Sequence, residues 1–350
     1  MTLDAQIDAS VGDFRIVVSI KVKPGETVAV LGPNGAGKTS LLRILAGLHP
    51  VDRGRMVLDD QVLEDKARSI RVPCERRPIG MVFQDYLLFP HLSVVENVAF
   101  GLRSRGSSQA TARRKALAWL QRIGLDAYAE RRPRELSGGQ AQRAALARAM
   151  ATEPRLLLLD EPMAALDASS RISLRRELRR QLAAFNGVGL LVTHDPVEAI
   201  AMADRLLVME DGRTVQEGLA GDVTQRPRSR YVADLVGVNL FRGRARANVV
   251  TLADGRTLNV AGVDDGDVFA IVHPRSVALF RTRPDGTPRN VWEGRALDID
   301  LMGDRARVRL GGPLPITAEV TRAAIAELGL DRGEQVWIAL KATEIDVYAA

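Results

Sequence analysis

Gly32-Pro-Asn-Gly-Ala-Gly-Lys-Thr39 constrains this chain more than any other stretch. It fits G-x-x-x-x-G-K-[ST], a loop whose backbone cradles phosphate groups. The residue types follow from that task. Gly37 lets the backbone approach an anion without a Cβ, and the turn Gly32, Pro33, Asn34, Gly35, Ala36 points the N–H groups of its non-proline residues inward. Lys38 carries a point charge to the β- and γ-phosphates, and Thr39 offers a hydroxyl to Mg²⁺. The flanks agree. Glu26-Thr-Val-Ala-Val-Leu31 reads as a buried strand, and the segment Thr39 to Leu48, with Ser40 in its first turn, reads as a helix whose N-terminus favours anions. A tight glycine turn between strand and helix is the bland alternative, and it needs neither the lysine nor the hydroxyl.

The rest of the composition narrows the class. A chain of 350 residues is long enough for two domains, and 46% hydrophobic residues describe a globular protein. Cys74 is the single cysteine, so no internal disulfide forms, which fits a reducing compartment. No apolar run reaches the ~18–20 residues of a membrane span, and the first residues lack the basic and apolar regions of a signal peptide. A cytoplasmic protein that meets membranes through partners is expected. The net charge of +6 comes mostly from arginine, with six lysines. Arg175-Arg176 and Arg179-Arg180 alternate with apolar residues at helical spacing, as a solvated helix face does, so no nucleic-acid partner is expected.

Strands alternate with helices over residues 1–235, which predicts an α/β core. The first 84 residues look β-rich, and a helical subdomain is expected over about 86–152, with an amphipathic helix over Ala110–Ile123 stopped at Gly124. Arg155–Asp160 and Gly187–Thr193 read as buried parallel strands. Residues 236–350 form a β-rich second domain, with short β-like runs between Gly, Asp and Pro. Val272–Phe280 and Leu340–Tyr348 share an apolar pattern, each after an acidic Gly turn, Asp264–Asp267 and Asp331–Glu334. This predicts two related subdomains or two halves of one small barrel, unless the match is generic strand patterning.

Further residues surround the phosphate loop with chemistry. Leu136-Ser-Gly-Gly-Gln140 precedes a helical run from Ala141, which Ser137 can cap. Gly138 and Gly139 leave its N–H groups open to an anion. Asp160 ends an apolar strand, where a carboxylate holds Mg²⁺ through water, and Glu161 beside it can polarise an attacking water. His194 stands past another apolar strand, positioned to contact a γ-phosphate. Gln84 ends Gly80-Met-Val-Phe-Gln84 and is a candidate for Mg²⁺ or the water. Glu161, His194 and Gln84 are the catalytic candidates, with Thr39, Gln84 and Asp160 for the metal.

These motifs, in this order, resemble the ATP-binding-cassette ATPases over residues 1–235. The resemblance implies ATP and Mg²⁺ as cofactors. It also implies a homodimer in which Ser137, Gly138, Gly139 and Gln140 of one copy close over the phosphate loop of the other. Asp167 of Ala165-Leu-Asp167 would link the two sites. The family usually has serine where this chain has Ala164, which weakens one cross-interface hydrogen bond. Phe14 is the candidate for stacking on adenine, with core packing the equal alternative.

One cassette without membrane spans implies an importer subunit at the cytoplasmic face of the cell membrane. It would work with two integral-membrane permease subunits and, indirectly, an extracytoplasmic solute-binding protein. The segments Gly35–Ser40, Val62–Asp65, Val72–Arg77 and Gln84–His91 resemble molybdate-importer ATPases, and Asp85–Leu92 would dock the permease. Val291–Arg295 and Val336–Tyr348 resemble the molybdenum-pterin-type (MOP) β-domain, over about 288–350. The expected fold is thus an α/β P-loop NTPase core with a helical subdomain, followed by an all-β MOP/OB-like domain. Lys341 and Thr343 are candidates for an oxyanion site, or an ordinary strand-edge pair. Related accessory domains leave importers of sulfate, sugars, polyamines or iron open, and a soluble non-transport ATPase or an oxyanion sensor remains from other classes.

Overall fold

A computed structural model describes residues 2–164 and 168–350. Asp167 lies outside the described residues. Two compact units divide between Val223 and Thr224, ahead of the boundary expected at residue 235.

In the first unit, an eleven-stranded sheet is formed among the described residues. One part of it is parallel, in the spatial order Arg205–Glu210, Thr27–Leu31, Val188–Val192, Leu156–Asp160, Ile79–Val82. Thr27–Leu31, Val188–Val192 and Leu156–Asp160 are buried at every position, because helices cover both faces of a parallel sheet, and this is why they are runs of Val and Leu. The other part is antiparallel, built on Leu3–Val11, Phe14–Val22, Arg53–Leu58 and Gln61–Asp65. Its first two strands alternate, with Ala5, Ile7, Ile16, Val18 and Ile20 turned into the core shared with the P-loop helix Lys38–Leu45.

Helices Val94–Ser104, Gln109–Arg122 and Gly138–Met150 form the helical subdomain and share a core of Val94, Val98, Leu120, Ala144 and Ala147. Local sequence sets where they start. Ser93 and Glu96 make a capping box, Ser108 accepts from Thr111 N, and Gly124 turns left-handed just past the second helix. The third begins at Gly138, three residues before the expected Ala141, so the glycine pair lies inside its first turn.

The second unit carries two five-stranded sheets, again among the described residues, packed on one core that includes Ala245, Val268, Ala270, Val308, Val336 and Ile338. The weak sequence repeat is real structure: Gly266–Val272 lies in one sheet and passes through the short 3-10 turn Pro274–Ser276 to Ala278–Phe280 in the other. Gln335–Leu340, through Ala342–Glu344, makes the reverse crossing to Ile345–Ala349. The strand after each crossing pairs with the strand before the crossing of the other half, Ala278–Phe280 with Gln335–Leu340 and Ile345–Ala349 with Gly266–Val272. The two turns meet where Ser276 Oγ donates to Glu344, residues separated by the 68 positions of the repeat. The unit is therefore two interlocked halves of one structure. The helix Arg322–Leu328 interrupts its β pattern.

Candidate functional site

Four adjacent parallel strands end at one edge of the large sheet, and each leads directly into candidate residues. Thr27–Leu31 leads into the phosphate loop, Val188–Val192 into His194, Leu156–Asp160 into Glu161, and Ile79–Val82 into Gln84. The carboxyl edge of an open α/β sheet is where ligands bind, because the loops there diverge and leave a crevice.

Gly37 has φ +93 and caps the P-loop helix; a Cβ there would stand 2.8 Å from Phe14 Cε1. Phe14, for which the sequence left adenine stacking and core packing open, lies partly buried against the main core beneath this glycine. Lys38 is 7% exposed and folds back on the loop, its Nζ donating to the carbonyls of Gly32 at 2.8 Å and Pro33 at 2.9 Å. Burial holds its pKa below the usual lysine range, against the pull of Glu161 and Asp160.

Thr39 Oγ1 donates to Asp160 Oδ1 at 2.9 Å. Asp160 is 2% exposed, and burial raises its pKa while the Thr39 hydrogen bond lowers it. A buried carboxylate beside a hydroxyl is an oxygen-only donor pair that a hard cation suits, and the cation would relieve the desolvation. Glu161 sits at φ +43, a left-handed position that costs a non-glycine residue about 1–3 kcal/mol. Its N–H donates to Val192 O at 2.9 Å, which holds the strand ends together, and its carboxylate meets His194 Nδ1 at 3.2 Å.

His194 is exposed, but its loop is pinned. Thr193 Oγ1 donates to the buried Glu198 at 2.8 Å and accepts from Asp195 N at 3.1 Å, while Asp195 caps the helix Pro196–Met202. Burial raises the Glu198 pKa, and the proton from Thr193 opposes it.

Gln84 is not at a strand end as expected: its strand stops at Val82, and Gln84 is exposed in the following turn. That turn continues through Tyr86 and Leu87, both left-handed, at φ 59 and φ 42. Two residues that the sequence did not reveal hold it. Asn97, fully buried, accepts from Phe89 N at 2.7 Å and donates to Phe89 O and Ser93 O. Arg148, in the last turn of the helix that Ser137 caps, donates to Leu87 O at 2.6 Å and Tyr86 O at 2.8 Å. A polar Asn97 between Val95 and Val98 was the available signal, since it breaks an apolar face. Ser137 itself is exposed, and its capping box is closed by Gln140, whose Oε1 accepts from Ser137 N at 2.8 Å.

In the second unit, Lys341 opens the turn Ala342–Glu344 and Thr343 lies within it, both exposed. The repeat puts His273 and Arg275 at the matching positions of the partner turn, which Ser276 joins to Glu344.

No helix among the described residues is long and apolar enough to cross a membrane. The ABC transporter family profile matches residues 17–164, and that of the TOBE domain residues 286–347. The chain is 40% identical to the molybdenum import ATP-binding protein of Mycobacterium tuberculosis, covering 99% of this chain and 97% of that protein. It is 36% identical to the molybdate/tungstate import ATP-binding protein of Pyrococcus horikoshii, over 95% of this chain and 94% of that one. It is 41% identical to the spermidine/putrescine import ATP-binding protein of Roseobacter denitrificans, over 93% and 92%. A solved dimeric ATP-binding cassette in a post-hydrolysis state with ADP and phosphate superposes at a TM-score of 0.53, with 30% identity, over 62% of this chain and 98% of that one. The chain belongs to the ABC transporter family, in the branch of its import ATP-binding proteins.

Proposed function

We propose that this chain is the ATP-hydrolysing subunit of an importer that takes up molybdate or tungstate. The observation that carries the ATPase reading is the convergence of Lys38, Thr39, Asp160, Glu161 and His194 at the ends of neighbouring strands. Substrate class rests on the full-length similarity to molybdenum and molybdate/tungstate import proteins. The similarity to a polyamine importer subunit is as high in identity, so spermidine or putrescine uptake is the second reading.

The backbone N–H groups between Gly32 and Ser40, Pro33 excepted, and the Lys38 ammonium would hold the ATP phosphates, with the helix N-terminus adding its partial positive charge. Mg²⁺, held by Thr39 and by Asp160 through water, with Gln84 as a further ligand, would neutralise charge on the phosphate oxygens. Glu161 orients a water and takes its proton as the oxygen bonds to the γ-phosphorus; the bond to the β–γ bridging oxygen breaks, and its electron pair leaves on ADP. His194 contacts the γ-phosphate. In a homodimer, Ser137, Gly138, Gly139 and Gln140 of the partner close the site, and Asp167 links the two sites. The subunit would sit at the cytoplasmic face of the membrane on two permease subunits, docked through Asp85–Leu92, where Leu87 is 55% exposed. A binding protein outside would deliver the ion. Lys341 and Thr343 would contribute to an oxyanion site in the second unit.

Calorimetric titration of the full chain with molybdate, tungstate, sulfate and spermidine tests the substrate class. Selective binding of molybdate and tungstate is expected. Selective spermidine binding would move the assignment to the second reading, and sulfate binding as tight as molybdate would remove the selectivity.

A further inference from the structure

The strand-end site explains one end of the P-loop helix; its other end is held by a group that the mechanism above does not use. Arg77 is fully buried, at 0% exposure. Its Nε donates to Val72 O at 2.9 Å. One terminal nitrogen donates to Leu45 O at 3.0 Å and reaches Ile44 O at 3.5 Å, and the other meets Glu64 Oε2 at 2.5 Å. The second oxygen of Glu64 accepts from Val51 N at 3.0 Å.

Ile44 and Leu45 end the helix Lys38–Leu45, where carbonyls lack intrahelical donors. The backbone past the helix satisfies Leu42 O, through Ala46 N, and Ile44 O, through Gly47 N at 2.9 Å, but not Leu45 O. Leu41, Leu42, Ile44 and Leu45 are each at most 1% exposed, so this turn is shut off from water. Arg77 supplies the donor to Leu45 O. The fit is close: the chain leaves the helix through Gly47 at φ +84, and a Cβ there would stand 2.5 Å from Arg77 Nε. A guanidinium at this end complements the negative pole of the helix, opposite the end that receives phosphate. The main chain of Arg77 is restrained as well. Its carbonyl accepts from Arg105, which caps the helix Val94–Ser104 and also donates to Thr152 O at 3.0 Å.

We infer that Arg77 is a positioning residue for nucleotide binding: clamped by Glu64, it fixes the C-terminal end of the P-loop helix and thereby the place of Lys38 and Thr39. The inference rests on the ATP-binding reading. The helix is about 12 Å long at 1.5 Å per residue, and over two turns it moves as a rigid rod. A displacement at Leu45 therefore reaches Lys38. An ion pair that only stabilised the fold would be replaceable by apolar side chains of similar volume, since desolvation offsets much of a buried pair's attraction. A clamp would not be, because the buried carbonyl of Leu45 loses its donor.

That difference is the test. The full chain carrying Arg77→Met with Glu64→Leu is compared with wild type and with Arg77→Lys, which keeps the charge but not the planar fork. Folding is followed by thermal melting, and ATP affinity by equilibrium titration with Mg²⁺ well below the melting temperature. The double variant is expected to fold and to bind ATP about tenfold more weakly or worse, with Arg77→Lys intermediate. Wild-type affinity in the folded double variant overturns the inference. Should the double variant not fold, Arg77→Lys decides alone, and wild-type affinity there overturns it. Wild-type protein that binds no ATP would overturn the ATPase reading and this inference with it.

Discussion

The two units handle polar chemistry in opposite ways. At the parallel edge of the first, Lys38 and Asp160 are buried against their solvation and Glu161 is held left-handed, so strain and desolvation gather at the candidate site. In the second, two asparagines make their hydrogen bonds within the fold. Asn239 donates to Val272 O and Thr317 O and accepts from Thr317 N, while Asn290 donates to Asn259 O and Leu340 O and accepts from Asn259 N. Each Asn begins the first strand of its half, and each laces one sheet to the other. The comparison teaches where to look for chemistry: desolvated or strained residues lie at the strand ends of the cassette, while Asn239 and Asn290 of the duplicated β-unit hold its halves together.

The largest expected effect tests the strained edge. Glu161→Gln should lower ATP turnover by about two to four orders of magnitude while ATP stays bound, as steady-state hydrolysis and nucleotide retention on a desalting column would register. Wild-type turnover would take the proton-acceptor role from Glu161.

Next comes the core of the β-unit. Ile338→Ala, at a fully buried central position, should cost about 2–5 kcal/mol in the denaturant transition of that unit, with turnover at low denaturant unaffected. A parallel loss of turnover would break the division of labour.

Asn239→Ala and Asn290→Ala should each cost about 1–3 kcal/mol, since each strands peptide groups of the opposite sheet. Chemical denaturation of the two variants side by side measures whether the halves are energetically equivalent, and one silent variant would show that they are not.

The smallest effect concerns pH. Burial raises the Asp160 pKa, so its contribution to stability is fully present below the unfolded-state value and is lost as pH rises through the folded-state value. Asp160→Asn should therefore raise the melting temperature of the nucleotide-free protein at neutral pH and leave it unchanged near pH 3. A lower melting temperature at neutral pH would mean that the Thr39 hydrogen bond outweighs the burial.

Much of the fold was legible because its signals are local. Runs such as Leu156–Leu159 have no polar alternative to burial, and Ser108 and Ser137 cap helices that begin within a few residues of the expected Ala110 and Ala141. The helix boundary at Gly138 was missed because glycine is a poor helix former; the capping box between Ser137 and Gln140 outweighs that propensity. Gln84 was expected at the strand end but lies two residues past it, because a short strand and the turn after it share an extended, mixed pattern.

By itself, the sequence determined the chemical vocabulary of this protein: the phosphate loop, the acid pair at a strand end, the histidine past another, and a β-unit with a repeat. Residue type and short spacing suffice for these, since each works through backbone geometry within one turn. Tertiary structure alone decided which strand ends are neighbours, that the repeat interlocks as two halves, and that Arg77 is no surface charge. In the sequence it is one more arginine beside Arg76. Only the fold brings Glu64, Val72 and the end of the P-loop helix around it, because a buried cation needs donors and charges that come from segments distant in the chain.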